Sequence, residues 1–157
     1  MAGSIYVMDY RGSFVFPLTP EQMWATIDFS SFESWWPWMR DLEVRGGLEP
    51  GSDVSFTVVT PLPYRMSLRL FLEEVEETVM IAGRVTGDLE GPAHLEIAEH
   101  EEGCVLTLVW KVEMMQRPMR IAAAVARPIL ERAHDWAVDV AIRGFKRHVV
   151  EPGGYAR

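Results

Sequence analysis

Hydrophobic and polar residues alternate in short runs through most of the first 114 residues, a pattern typical of β-strands with one buried and one solvated face. The first run, residues 5–16, places aromatic side chains on one face, and Gly12 within it indicates a bulge or a close approach of another group. Short turns separate the runs, so an antiparallel meander is the simplest topology. The further predicted strands cover residues 54–58, 66–72, 79–86, 93–99 and 104–114, with a weaker one at 42–45.

The segment after the first strand carries a complete helix-start signal. Thr19 can cap a helix, Pro20 suits its first position, and Gln22 can return the hydrogen bond of a capping box. We therefore predict a helix over residues 20–28.

A second short helix over residues 32–36 is predicted by a repeat of this box at Ser30 and Glu33, and Pro37 ends it. Tryptophans at positions 35, 36 and 38 surround that proline. They favour either an aromatic lid over a ligand entrance, with Trp36 facing the ligand, or simple packing of a short helix.

Helical periodicity returns after residue 117. Because Pro128 removes a backbone donor and crowds the preceding turn, we predict a shorter, alanine-rich helix over residues 118–126 and a main helix over residues 128–149. The main helix is about 30 Å long at 1.5 Å per residue, enough to cross one face of a small sheet. Its apolar stripe comprises Leu130, Ala133, His134, Ala137, Ala141 and Phe145.

The composition is that of an ordinary globular protein. Its 157 residues are 48% hydrophobic and 24% charged, which predicts a single domain over residues 1–157. The formal net charge of −8 has the wrong sign for binding a nucleic-acid backbone, so we expect no nucleic-acid partner. The single cysteine, Cys104, excludes an internal disulfide. No apolar run is long enough to span a bilayer and no secretory signal is evident, so we expect a cytoplasmic protein.

Several local motifs sharpen this picture: Phe16-Pro17 followed by Trp24, Trp35-Trp36-Pro37-Trp38, Pro63-Tyr64, Gly87-Asp88-Leu89-Glu90-Gly91, and Arg127-Pro128 with His134. With the order of elements, they resemble the START-like superfamily, also called helix-grip, SRPBCC or Bet v 1-like, and within it the bacterial polyketide cyclase/dehydrase-type branch. The resemblance implies an α+β fold with a core over about residues 5–149. In it, a curved antiparallel sheet of about seven strands wraps around a long C-terminal helix, and two short helices follow the first strand.

In that superfamily a cavity between sheet and helix holds an apolar or aromatic small molecule, and no catalytic motif is common to all members. The resemblance therefore implies that the large inward side chains surround a ligand. From the residues alone, the same side chains could instead form a dry core. The candidate ligand-binding residues are Trp36, Phe56, Tyr64, Met66, Leu68, Trp110, Met114 and His134.

Three of the polar candidates leave alternatives open. A buried imidazole at His134 could orient a ligand or transfer a proton, which makes it the one candidate catalytic residue, or it could be a core histidine satisfied by a backbone carbonyl or a tyrosine. Tyr64 could offer its hydroxyl to a ligand or lie on the surface. Arg84 faces solvent if its strand alternates regularly, and faces the cavity if Gly83 forms a bulge.

No metal or cofactor site is predicted. His94 and His100 share one strand face, but they lie about 20 Å apart at 3.3 Å per residue, too far to bind one ion. Residues 87–91 lack the spacing and the following helix of a phosphate-binding loop. Cys104 has no basic neighbour in the sequence to activate its thiol.

Three functions remain open at this stage. The protein could bind a small hydrophobic ligand, whether aromatic, polyketide-like or lipid, for sequestration or delivery. It could be a polyketide cyclase/dehydrase-like enzyme that uses the same cavity. It could also dock a partner protein through the groove or through the alanine-rich segment before Pro128, and either a monomer or a homodimer agrees with the sequence.

Overall fold

A seven-stranded sheet and one long helix make up most of the chain, with short helical segments between the first two strands. The structure is a computed structural model that describes residues 6–36, 38–59 and 65–150. The strands are β1 (Val7–Phe16), β2 (Met39–Arg45), β3 (Asp53–Val59), β4 (Arg65–Glu76), β5 (Met80–Gly87), β6 (Leu89–His100) and β7 (Gly103–Met114). The helices are α1 (Pro20–Thr26), α2 (Phe32–Trp35) and α3 (Arg117–Val150), with a 3₁₀ turn at Phe29–Ser31.

The strands form one antiparallel sheet in the order β1-β7-β6-β5-β4-β3-β2. Strands β2 to β7 lie side by side in sequence order and form the predicted meander. The last strand, β7, also pairs with β1, the first strand of the chain. The β1–β7 register is continuous from Val7 opposite Glu113 to Phe16 opposite Cys104, so the bulge considered at Gly12 is absent. Gly12 instead permits the close approach that was the other expectation, because the Tyr10 ring lies over it.

The predicted capping box of α1 is present. Thr19 Oγ1 accepts a hydrogen bond from the Gln22 amide at 3.1 Å, and Gln22 Oε1 accepts one from the Thr19 amide at 2.9 Å. The helix ends at Thr26, two residues earlier than predicted, because the Ile27 amide turns back to the Trp24 carbonyl in an extended conformation.

The second predicted box, between Ser30 and Glu33, is wrong. The Asp28 carboxylate accepts from the Ser30 amide at 3.0 Å and starts the 3₁₀ turn, so Ser30 lies inside a helical turn instead of capping one. Glu33 accepts a hydrogen bond from the Leu42 amide at 3.2 Å, which ties α2 to β2.

Two basic side chains of α3 donate hydrogen bonds to main-chain carbonyls of β1. Arg127 Nη2 lies 2.8 Å from the Val7 oxygen, and Lys146 Nζ lies 3.1 Å from the Val15 oxygen. The helix rises about 28 Å between these two positions, and the strand rises about 26 Å between its two carbonyls. Helix α3 therefore runs alongside β1 in the same direction, and it satisfies carbonyls on the outer edge of that edge strand.

The predicted interruption of the C-terminal helix is confirmed. Ala126 has non-helical dihedral angles (φ −143°, ψ 48°), two residues before Pro128. The proline has no amide to donate and crowds the preceding turn, so the chain breaks there and continues as a second helix.

Two packed apolar clusters lie between the sheet and the helices. The first joins α1 and the 3₁₀ turn to one end of the sheet and includes Phe16, Leu72 and Phe145. The second packs the first part of α3 onto Met8, Val112 and Met114 through side chains of its own. Those helix residues are Met119, Ala123 and Leu130.

Candidate functional site

An aromatic cluster joins β1, β7 and α3 on the inner face of the sheet. Tyr10 and Trp110 are opposite each other in the β1–β7 register, and their rings stack with centroids 4.6 Å apart. His134 of α3 meets both rings edge-on, at 5.1 Å from Tyr10 and 5.5 Å from Trp110. The three rings connect the helix to the sheet about midway along the stretch that α3 shares with β1.

Hydrogen bonding defines the state of the His134 ring. Trp110 Nε1 donates to His134 Nε2 at 3.0 Å. Because an indole N–H can only donate, Nε2 is unprotonated, and the neutral ring carries its proton on Nδ1, which lies 3.4 Å from Asp135 Oδ1. Burial lowers the pKa of His134, and the nearby Asp135 carboxylate opposes part of that shift. The imidazole is therefore held neutral, with both nitrogens facing protein groups.

The Tyr10 ring extends along its own strand over Gly12. A Cβ atom at Gly12 would overlap the Tyr10 hydroxyl, so any larger residue there would displace the phenol. Burial raises the pKa of Tyr10, and the negative charges of Asp135 and Asp139 add to the effect. The phenol is thus a neutral hydroxyl at neutral pH, able to donate a hydrogen bond within an apolar surface.

The inner face of the sheet is fully buried within both clusters, and further inner residues are half-buried, most of them packed against one cluster or the other. On α3, the alanines at positions 133, 137 and 141 are also half-buried, and Ala137 and Ala141 follow His134 on the same side of the helix. The half-buried inner residues are Phe14, Phe56, Leu68, Leu70, Leu95, Leu108 and Trp110.

No protein-family model and no curated protein sequence matches the chain. Solved structures do match. TTHA0849 from Thermus thermophilus is 15% identical with a TM-score of 0.75, over 89% of this chain and 95% of that one. Zhui aromatase/cyclase from Streptomyces sp. R1128 is 11% identical with a TM-score of 0.70, over 95% and 99%. Ara h 8.0201 is 10% identical with a TM-score of 0.63, over 90% and 97%.

The chain has the helix-grip fold. The expected architecture is confirmed: a seven-stranded antiparallel sheet, a long C-terminal helix, and short helices after the first strand. At these identities the similarity concerns the fold, and the site has to be described from this chain's own residues.

The predicted site residues fall into two groups within the helix-grip fold. Trp110 and His134 belong to the aromatic cluster, and Met66 and Met114 belong to the second apolar cluster. Met66 is half-buried against this second apolar cluster, whereas Met114 is only 1% exposed and packs with the first part of α3. Met114 could therefore touch a ligand only if its neighbours moved.

The second group lies where α2 meets the later part of α3. Trp36 and Phe56 have ring centroids 6.1 Å apart, and Leu68 is opposite Phe56 in the β3–β4 register. Trp36 also lines a groove of about 420 Å³ with Glu33, Ser34, Val140, Arg143, Gly144 and Arg147. Trp38 packs on Trp136 of α3 with a centroid distance of 5.0 Å. Tyr64 lies outside the described residues.

Other candidates lie away from the inner face. Arg84 is exposed, because β5 alternates regularly through Gly83, so it faces solvent. His94 pairs with Glu96 at 3.0 Å in a partly exposed pair. Among the described residues no three metal-binding side chains converge, and no helix of that part of the chain is long and apolar enough to cross a membrane.

The outer face of the sheet carries a separate groove of about 480 Å³ across β2 to β5. Arg69 on this face pairs with Asp53, and that hydrogen bond lowers the pKa of Asp53. Hydroxyl and carboxylate side chains provide most of its lining: Asp41, Glu43, Ser55, Thr57, Ser67 and Thr86. The predicted ligand-binding residues Phe56 and Leu68 also line this groove.

Tyr10 is the site residue that sequence reasoning missed. Its position on the apolar face of the first strand was evident, but its contacts depend on the pairing of β1 with β7, which are far apart in the sequence. Gly12 was the available signal. A glycine two residues after a tyrosine on the same strand face leaves room for the tyrosine ring to lie across it.

Proposed function

We propose that this protein binds a small hydrophobic molecule, aromatic, polyketide-like or lipid, between the inner face of the sheet and α3. The observation that carries the proposal is the set of half-buried apolar residues on the inner face, together with half-buried alanines on the His134 side of α3. An apolar guest there would remove that surface from water, worth roughly 25 cal/mol per Å².

Few polar groups would orient the guest, as is usual in apolar ligand sites. The Tyr10 hydroxyl is neutral and can donate to a carbonyl or hydroxyl oxygen of the ligand. The stacked faces of Tyr10 and Trp110 offer an apolar aromatic surface beside it. These features support a ligand with a flat or flexible hydrocarbon body and one oxygen function.

Binding is favoured over proton-transfer catalysis by the hydrogen bonds of His134. The lone pair on Nε2 that would take a proton already accepts from Trp110. To act as a general base, His134 would first have to give up that bond. Once Nε2 was protonated, its N–H would point at the N–H of the Trp110 indole, and two donors cannot form a hydrogen bond. His134 is therefore better suited to holding Trp110 in place than to acid–base chemistry.

The direct test is to extract the purified protein with organic solvent and analyse the extract by mass spectrometry. The proposal predicts a stoichiometric apolar compound, or, for an empty preparation, saturable uptake of a neutral hydrophobic probe. Neither a bound compound nor probe uptake would contradict it and leave partner docking as the better explanation.

The second candidate is an enzyme that cyclises or dehydrates a polyketide-like substrate in the same place. It is supported by the fold shared with Zhui aromatase/cyclase. Turnover of a candidate substrate by His134→Gln and His134→Ala separates the two candidates. Equal binding and conversion by both variants and the parent would eliminate an acid–base role for His134.

We further propose that residues 1–157 form a single domain and that the protein works in the cytoplasm. The first statement is supported by the structural matches to TTHA0849 and to Zhui aromatase/cyclase, because each match covers most of this chain and most of the other chain. The one cysteine, Cys104, which is buried and reduced, is compatible with the second.

A further inference from the structure

The first part of α3 is apolar on both of its sides. Its inner side buries Met119 and Leu130 against the sheet. On its outer side, Ile121, Val125 and Ile129 are 63%, 82% and 69% exposed, respectively. Large aliphatic side chains on a helix are normally covered by other parts of the protein, and within the described residues nothing covers these three.

The three exposed side chains lie within nine residues of one another in the sequence, and we name them the Val125 row. Ile121 and Val125 are four residues apart, so they lie on the same side of the helix before the break, and Ile129 is exposed three residues after the break at Ala126. Three aliphatic side chains on a convex helix surface offer no groove for a peptide, but they can enter an apolar layer together.

The charges around the Val125 row are positive. Residues 115–132 contain four arginines and one glutamate, whereas the whole chain has a net charge of −8. Arg120 and Arg127 turn back to the sheet, where they bond the Met114 and Val7 carbonyls. Arg117 and Arg132 remain exposed beyond the two ends of the row.

The acidic groups nearest to the row face other partners. Glu131 pairs with Arg127 at 3.3 Å, and Glu113 pairs with Arg120 at 2.9 Å. An apolar row with exposed cations at its ends, on an otherwise acidic protein, would be turned towards a negatively charged surface by the field of the whole molecule.

We propose that the Val125 row docks on the surface of a bilayer that contains anionic lipids. The aliphatic side chains enter the boundary between headgroups and acyl chains, and Arg117 and Arg132 contact the lipid phosphates and carboxylates. Pairing with a second copy is disfavoured, because the exposed cations Arg117 and Arg132 would then lie in the same interface as their counterparts on the other copy.

The test is co-sedimentation of the full chain with vesicles of phosphatidylcholine, with and without phosphatidylserine. We expect binding only to the vesicles that contain phosphatidylserine, and weaker binding as the salt concentration rises. Val125→Asp should lower the partition coefficient by about tenfold or more, since it removes an apolar anchor and adds a repelling charge. Arg132→Gln should lower it about fivefold.

Val79→Asp is the matched control, because Val79 is another exposed valine, 43% exposed, at the turn between β4 and β5. It makes the same change of charge and should leave vesicle binding unchanged. Failure of the parent to bind, or equal losses in Val125→Asp and Val79→Asp, would overturn the proposal. A dimer in sedimentation velocity that Val125→Asp dissociates would also overturn it and assign the row to a second copy. No ligand enters this test, so its outcome is independent of the proposed function.

Discussion

Burial and the hydrogen bond from Trp110 keep His134 neutral, which links the stability of the protein to pH. The pKa of His134 in the folded protein lies below its ordinary value of 6.5. As the pH falls below about 6.5, the unfolded chain binds more protons than the folded one. The contribution of His134 to the free energy of unfolding is therefore fully present above that pH. It is lost as the pH falls towards the pKa of His134 in the folded protein.

Substitution of His134 by glutamine should reduce this pH dependence. Glutamine can still accept a hydrogen bond from the Trp110 indole, but it does not titrate. The measurement is the urea midpoint of unfolding from about pH 7.5 down to about pH 5. His148→Gln, an exposed histidine of the same helix, is the control and should follow the parent. Parallel loss of stability in the parent and in His134→Gln would show that His134 is not the titrating group.

Gly12 permits the Tyr10 ring to lie flat along β1, so a methyl group at this position should be costly. Gly12→Ala would force the phenol away from its stack on Trp110, and we expect it to lower the free energy of unfolding by about 1–3 kcal/mol. Gly47→Ala is the control, since a Cβ there meets nothing within 4 Å. Similar values for the two variants in urea denaturation would contradict the proposed packing.

At the scale of secondary-structure elements, α3 is held to the edge strand β1 by two hydrogen bonds, one near each end of β1. Arg127→Met and Lys146→Met keep the aliphatic stems and remove the donors to the Val7 and Val15 carbonyls. Each should lower the free energy of unfolding by about 0.5–1.5 kcal/mol. Because the two contacts are far apart, the losses should add in the double variant.

Arg132→Met is the reference for these measurements, because Arg132 is exposed. Its effect on stability should stay within about 0.5 kcal/mol. If Arg127→Met and Lys146→Met have effects no larger than Arg132→Met, the contacts do not hold α3 to β1.

The elements that sequence reasoning placed well are those whose signals are local. Thr19 with Gln22 marks the start of α1, and Pro128 marks the break in α3. Strand β2 was predicted too short because its register shifts between Arg40 and Glu43, which interrupts the alternation of apolar residues. The start of β6 was missed for a related reason: Gly91 resembles a turn residue, but it lies in the strand where a Cβ would collide with the Lys111 carbonyl.

At the scale of the whole molecule, the fold followed from the order of elements, whereas the site did not. Alternation predicted that Trp110 faces inward, but neither its bond to His134 nor its stack on Tyr10 has a local signal. Alternation also cannot distinguish the fully buried Met114 from the half-buried Leu108, because both face inward on β7. That difference depends on which part of α3 lies over each residue.

The proposed space between the sheet and the middle of α3 can be tested by introducing a larger side chain there. Ala137→Leu should change the free energy of unfolding by no more than about 0.5 kcal/mol, because the larger side chain would enter unfilled space. Ala123→Leu introduces the same side chain at a position that is 2% exposed in a packed cluster, and it should cost about 1–3 kcal/mol. Equal destabilisation of the two variants in urea denaturation would mean that the interior is closely packed throughout.

The most direct measurement is a fluorescence titration of the parent and Ala137→Leu with the neutral hydrophobic probe N-phenyl-1-naphthylamine. Saturable binding by the parent is predicted, with affinity lowered about tenfold or more in Ala137→Leu, since the leucine would occupy space the probe needs. Ala124→Leu, on the exposed side of the same helix, should bind like the parent. Absence of saturable binding by the parent, or equal affinity of parent and Ala137→Leu, would contradict a ligand site between the sheet and α3.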